Sequence, residues 1–245
     1  MEFVSCQACP LRALPLFVEA SGSELALIES LKKEQVVAHA GQCIVHEGQA
    51  DLPLYTLLQG WAFRFKTLSD GRRQILNFLL PGDVIGVQQH MGGVAACGVQ
   101  ALSDVLLCVF RSDALWELHR MAPALGFGVT WLAAHEESMA GDALLSVGRR
   151  SAEERIASLL IVMFKRVAAL LPDAGAQGVP FLLTQQHIAD ALGLSLAHTH
   201  RTLRKLEKRG LHRIEAGRLH LLDVKLLPQF ADLYGDGKPA RRPLL

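Results

Sequence analysis

The chain lacks any long apolar run: no stretch approaches the roughly 18 charge-free residues of a membrane-spanning helix. No signal peptide is visible at its start, so the expected compartment is the cytoplasm, with no membrane partner. Net charge is nearly absent, +1 over 245 residues, unlike the strongly basic composition of many nucleic-acid binders. Cysteine is scarce, five in all, and in a reducing compartment these are expected to be free, metal-bound or redox-active rather than structurally paired. The ligand set of a cupin-type metalloenzyme, a His-x-His followed by Glu and a later His, is also missing. His39 and His46 lie seven apart, and His198-Thr199-His200 sits in a basic helix where a catalytic metal would be exposed. Half of the residues are hydrophobic, enough to bury the core of two domains or one large one.

The near-neutral total hides an uneven distribution. Residues 1–147 hold 9 Lys and Arg against 15 Asp and Glu, a balance of −6, whereas residues 180–245 hold 11 against 6, a balance of +5. The basic excess accompanies the most patterned stretch of the chain, Leu183 to Asp223. Thr184 is a suitable N-cap for a helix through Gln185 to Leu192, with Ile188, Ala191 and Leu192 on one apolar face. Gly193 ends that helix, and Ser195 caps a second one that runs to about Arg209 and stops at Gly210. Leu196, Leu203 and Leu206 are expected to face the core. A short β-hairpin follows. Helix, tight turn, basic helix and hairpin make a winged helix-turn-helix, whose second helix enters a DNA major groove. Ala197, His198, His200 and Arg201 are the expected base-facing residues, and Arg201 can bond guanine bidentately. Arg204, Lys205, Lys208, Arg209, Arg213 and Arg218 are expected to neutralise phosphates, with Thr184, Gln185 and Ser195 as further DNA-binding residues. Protonation of His198 and His200 is expected to tighten binding at lower pH.

Residues 36–110 read as short strands broken by regular turns (Ala40-Gly41, Glu47-Gly48, Gln59-Gly60, Asp70-Gly71, Pro81-Gly82-Asp83), which suggests a jelly roll or barrel. Trp61, Phe63 and Phe65 alternate with Arg64 and Lys66 at the period of a strand, and Asp70-Gly71 is a hairpin signal. From Pro123 to about Val147 the pattern turns helical. Leu125, Leu132 and Met139, with Val129 and Ala143 alongside and Glu136 as an interruption, suit a coiled coil between two protomers, the alternative being a helix lying on its own domain. A further helix spans roughly Ala152 to Leu171, residues 172–180 read as a loop, and the tail from Gly235 reads as disordered. The expected order is α+β: a Cys-containing segment (1–19), a sensor jelly roll (20–120), a dimerisation helix (121–150), a DNA-binding winged domain (151–234) and a disordered tail (235–245).

This order resembles the CRP/FNR superfamily of dimeric bacterial transcription regulators. The resemblance rests on Gly41-x6-Gly48, Leu54-Tyr-Thr-Leu-Leu-Gln-Gly60, Asp70-Gly-Arg-Arg-Gln-Ile-Leu, Pro81-Gly-Asp-Val-Ile-Gly86, Leu183-Thr-Gln-Gln-His-Ile-Ala and Gly193-Leu-Ser. It implies a cyclic-nucleotide-binding-like β domain, a homodimer, a palindromic double-stranded DNA site, RNA polymerase as a partner, and more often activation than repression.

The departures bear on the signal. The family's cyclic-nucleotide branch carries a ribose-binding Glu where this chain has Val87, and no Arg lies between Arg73 and Arg111. A buried cyclic phosphate would lack its charge partner, which argues against cAMP. The oxygen-sensing branch holds an iron-sulfur cluster on three N-terminal cysteines and one in the barrel. Cys6 and Cys9 match its C-x-x-C and Cys108 its barrel ligand, but Pro15 stands where the third N-terminal Cys is expected. A cluster, a redox dithiol at Cys6 and Cys9, and cysteines without function all stay open; Cys43 and Cys97 have no ligating spacing. At Ala197 the family commonly has Glu, so a related but different operator is expected. The leading reading is a regulator responding to a redox, oxygen or small-molecule signal, and the alternative is one controlled by its abundance.

Overall fold

The computed structural model describes residues 4–88, 93–171, 178–223, 226–231 and 241–245. They form two compact units: residues 1–66, 78–138 and 239–245 make one, and residues 67–77 with 139–238 make the other.

The N-terminal unit is a β-sandwich, although residues 67–77, which include most of its edge strand Arg73–Leu79, group with the second unit. A 3-10 turn, Pro10–Ala13, precedes helix α1 (Gly22–Leu31), whose start is fixed by a reciprocal Ser21/Glu24 capping box. The strands are β1 (Lys32–Ala38), β2 (Cys43–Val45), β3 (Leu54–Gln59), β4 (Ala62–Thr67), β5 (Arg73–Leu79), β6 (Val84–Ile85), β7 (Gly98–Ala101) and β8 (Val105–Phe110). They build two four-stranded sheets, ordered β1-β8-β3-β6 and β2-β7-β4-β5, whose apolar faces share a core that includes Leu57 and Leu107 from one sheet and Val45, Ala62 and Val99 from the other. β8 (VLLCVF) is buried at every position because both of its faces are covered. Leu107 faces the core between the sheets, so alternation turns Cys108 to the outer face. There it lies in register with Gln35 of β1 and Thr56 of β3.

Helix α2 (Ala114–Met121) leads into α3, the 27 residues Pro123–Arg149. Along α3 the residues of the expected seam differ in burial, Leu125, Met139 and Ala143 being half-buried. Val129 and Leu132 are buried in their own unit, whereas Phe127, Leu144 and Leu145 are exposed. Phe127 and Leu145 are about five helical turns apart and share one line, while Leu125, Val129, Leu132, Met139 and Ala143 cluster on the opposite side. The seeming interruption, Glu136, belongs to that inward side and forms a 2.7 Å ion pair with Arg64.

The second unit holds α4 (Ala152–Ala168), begun by a Ser151/Glu154 capping box and burying Ile156, Leu160, Met163 and Val167 at helical spacing. Then follow β9 (Val179–Pro180), α5 (Gln185–Leu192), α6 (Leu196–Lys208), β10 (His212–Glu215), β11 (Arg218–Leu221) and α7 (Leu226–Phe230). The wing is a three-stranded sheet, β10-β11-β9; its strand β9 falls in the segment read from sequence as loop, of which residues 172–177 lie outside the described residues. The wing turn places Ala216 (φ +48°) and Gly217 (φ +71°) in the left-handed region, as a two-residue hairpin turn requires.

The expected disorder of the tail is corrected for residues 241–245; residues 235–240 lie outside the described residues. Arg242 makes a parallel bridge with Phe17, and Leu244 and Leu245 are buried, because this segment finds a polar partner and an apolar surface on the N-terminal unit.

Gly60 turns the chain from β3 into β4 at φ +83°, and a Cβ there would sit 2.1 Å from the Asp104 carbonyl oxygen. Gly60→Ala is expected to cost at least about 1–3 kcal/mol, read as a lower denaturant midpoint with an unchanged m-value.

Candidate functional site

The second unit builds its exposed surface around α6. Ser195 caps the helix through His198 N–H at 3.2 Å, and Gly193, left-handed at φ +64°, makes the corner after α5. The buried stripe is Thr199, Thr202, Leu203 and Leu206, spaced i, i+3, i+4, i+7. Leu196, expected in the core, is 47% exposed; the inward stripe starts one turn later, at Thr199, which is too short to reach water. With that stripe inward, Ala197, His198, His200, Arg201, Arg204, Lys205 and Lys208 are all exposed.

Two cations of α6 are already engaged. Lys205 and Arg209 both pair with Glu153 at the start of α4, Arg209 at 2.7 Å, and Arg209 also lies over the Phe230 ring. The bond from Lys205 holds the Glu153 carboxyl below the usual carboxylate range. Arg201 and Arg204 therefore stand as the better-placed cations for a polyanion. Thr184 caps α5 by accepting from His187 N–H at 3.2 Å, and Gln185 follows it, exposed. Gln185, His200 and Arg204 rim one crevice of about 190 Å³, so the start of α5 and the outer face of α6 present side chains to the same space. Arg218 is half-buried and donates to the Gly178 carbonyl at 2.7 Å, which ties the wing to β9.

Sequence reasoning missed a pair that steadies α5. Arg73 donates to Asp190 through Nε at 3.0 Å and through a terminal nitrogen at 2.8 Å. Beside it, Gln74 donates to the Ala191 carbonyl at 2.9 Å, meeting an acceptor that the helix end leaves open. The Arg73-Arg-Gln-Ile pattern could not announce this, because the partner is 117 residues away. Burial and the neighbouring Arg73 hold His187 below the usual imidazole range, against Asp190.

The three family-placed cysteines also come together. Cys6, Cys9 and Cys108 line one cavity with Arg12, Lys32, Thr56, Leu244 and Leu245. Desolvation, helped by the bond to Glu29, pushes the Cys6 thiol up to about 11, and burial raises Cys108 as well. Gln35 donates to the Cys108 sulfur at 3.4 Å. The cavity holds only about 10 Å³, near the minimum for one water. A cluster of four irons and four sulfides does not fit, and among the described residues no three His, Cys, Asp or Glu side chains converge as a metal site requires. The thiols share this cavity, and Leu244 and Leu245 share it with them. Cys43, bonded to the Val45 carbonyl, and buried Cys97 lie apart, at the second sheet.

An exposed cationic recognition helix beside a wing defines a DNA-binding transcription regulator. A cyclic nucleotide-binding domain matches residues 35–121 and a Crp-like helix-turn-helix domain residues 154–230. The nitrogen fixation regulation protein FixK of Bradyrhizobium diazoefficiens is 33% identical over 218 residues, 89% of this chain and 90% of that protein. The transcriptional activator protein FnrL of Cereibacter sphaeroides is 30% identical over 239 residues, 96% and 95% of the two chains. The structure of FixK2 from Bradyrhizobium japonicum superposes with a TM-score of 0.72 at 26% identity, covering 84% of this chain and 98% of that one. The chain belongs to the CRP/FNR superfamily of transcription regulators, whose members bind DNA through the helix-turn-helix and act as dimers. These relatives are regulators, not enzymes, and among the described residues no helix is long and apolar enough to cross a membrane.

Two outcomes are expected. In a double-mutant cycle of Arg73→Ala and Asp190→Ala, the coupling energy should exceed about 0.5 kcal/mol, measured by chemical denaturation. The second concerns His212, which is 2% exposed, its Nδ1 lacking a hydrogen-bond partner among the described residues. Burial lowers its pKa, with Glu207 opposing. The unfolded chain therefore takes up the proton first as pH falls. The stabilisation is complete above the unfolded value, near 6.5, and is lost as pH drops through the folded value. Thermal melts from pH 8 to 5 should show a steeper loss for the native protein than for His212→Leu.

Proposed function

We propose that two copies of this chain seat α6 in successive major grooves of a palindromic double-stranded DNA site and act with RNA polymerase, as an activator, in the cytoplasm. The observation that carries this reading is the common exposed face of Ala197, His198, His200, Arg201 and Arg204 on one helix. Arg201, in the N-terminal half of α6, reads a guanine edge at O6 and N7. Arg204, one turn on, neutralises phosphate, and Thr184, Gln185 and Arg218 flank the contact. Ala197 offers no acceptor to a cytosine amino group, so the operator differs at that position from sites read by relatives with Glu there. The two copies associate along α3, where exposed Phe127 and Leu145 supply the apolar line that the inward-facing leucines do not.

The signal that fits is redox, oxygen or a small molecule rather than a cyclic nucleotide. Val87 is an apolar buried residue where the cyclic-nucleotide branch needs a carboxylate, and the span between Arg73 and Arg111 contains no Arg to meet a phosphate.

The test is binding to genomic fragments selected by the native protein. Arg201→Ala should lose about 1–3 kcal/mol of discrimination and relax preference at one base pair. Arg204→Ala should weaken binding to all sequences alike and reduce the slope of log affinity against log salt by about 1. Equal affinity of the native protein for selected and random duplexes would overturn the reading.

A further inference from the structure

The chain closes its own cysteine cavity with a segment from the far side of the sequence. Residues 241–245 lie against the N-terminal segment and the Pro81-Gly82-Asp83 turn. The backbone is held from both sides: Val18 N–H donates to the Arg242 carbonyl at 3.0 Å, and Arg242 N–H donates to the Leu16 carbonyl at 2.9 Å. The Arg242 guanidinium pairs with the nearly buried Asp83 carboxylate, donates to the Gly82 carbonyl at 3.3 Å and lies over the Phe17 ring. Asp83 is itself fixed by Leu80 N–H at 2.7 Å. Gly82 admits the Phe17 ring only because it has no side chain; a Cβ would stand 2.3 Å from it. Past this anchor, Leu244 and Leu245 are 3% and 5% exposed and form part of the cavity wall with Cys6, Cys9 and Cys108. Arg12 spans the two sides, donating to the Cys6 carbonyl at 3.1 Å and to the Leu244 carbonyl at 3.5 Å.

We infer that residues 241–245 are a strap that keeps this three-thiol cavity shut, and that release of the strap converts Cys6 and Cys108 into a modification site for small thiol-directed electrophiles. An apolar plug excludes both water and reagent, and a desolvated thiol without its thiolate form is inert. Removing the two leucines opens the cavity to solvent, which restores both ionisation and access. The anchor is an ion pair with one partner in each segment, so the strap can leave without unfolding the sandwich, whose core between the sheets it does not enter. This inference stands apart from DNA binding and is tested without DNA.

The full-length reduced protein is pulsed with iodoacetamide at constant pH, and each cysteine is quantified by mass spectrometry. In the reaction the thiolate sulfur displaces iodide: an S–C bond forms, the C–I bond breaks, and the thiol proton goes to solvent. Buried Cys97, on the other sheet, is the internal gauge of sandwich integrity. In the native protein Cys6 and Cys108 should label as slowly as Cys97. Arg242→Ala, and separately the pair Leu244→Ser with Leu245→Ser, should speed labelling of Cys6 and Cys108 roughly tenfold or more, as a local opening does, with Cys97 unchanged. If Cys97 accelerates in parallel in Arg242→Ala, the leucine pair, which leaves the anchor in place, decides. Unchanged labelling of Cys108 in that variant, or fast labelling of Cys108 in the native protein, overturns the inference.

Discussion

Every functional property of the second unit depends on which side of α6 is driven inward. Four side chains, Thr199, Thr202, Leu203 and Leu206, are buried, and the helix packs through them against its neighbours α4 and α5. Exposing such a stripe would forfeit on the order of 25 cal/mol for each Å² of apolar surface, while burying the arginines would strand charges without water. The rotation of the helix about its axis is thereby fixed, and the cationic face is turned out as a consequence of the core.

The same helix shows that charge count and charge availability differ. Lys205 and Arg209 share Glu153, a carboxylate at the N-terminal end of α4, where it also favours that helix's dipole. These pairs join α6 and its C-terminal end to α4. Arg73 and Gln74 do the same for α5 from the hairpin segment 67–77, by reaching its side and its last carbonyls. A helix that presents side chains to base edges needs such support, since misplacement by an ångström costs a hydrogen bond its geometry. Charged residues here serve position as much as attraction.

In the N-terminal unit the equivalent constraint is strand alternation at β8. Leu107 belongs to the core between the sheets, so Cys108 must face outward, toward the 3-10 turn and the residues that carry Cys6 and Cys9. Three thiols meet there because a C-x-x-C segment is laid across the outer face of a sheet. Leu244 and Leu245 line the same small cavity as the three thiols, with only about 10 Å³ left open in it.

Local features were legible in the sequence, since local physics creates them: the Thr184 and Ser195 caps, the left-handed glycines at 193 and 210, the Asp70-Gly71 turn, the alternation of β4, and the outward set of Ala197 to Arg204. Helical phase was less legible. Leu125, Val129 and Leu132 of α3 repeat as a dimer seam would, and Val129 and Leu132 are buried within their own unit, because a helix lying on its own domain and one lying on a partner bury the same kind of stripe. Leu196 was misplaced for a related reason: a Leu at the first turn of a helix lies beyond the edge of the core that the later turns reach. The two-residue strand β9 carries no periodicity to find, and the docking of residues 241–245 is a contact between distant parts of the chain. The sequence alone determined the family, the order of elements and the chemistry of the reading helix, which are properties of short stretches. Only the tertiary structure decided which cations of α6 are engaged, which face of α3 is open and what shares space with the cysteines, for these depend on partners from about fifty to more than two hundred residues away.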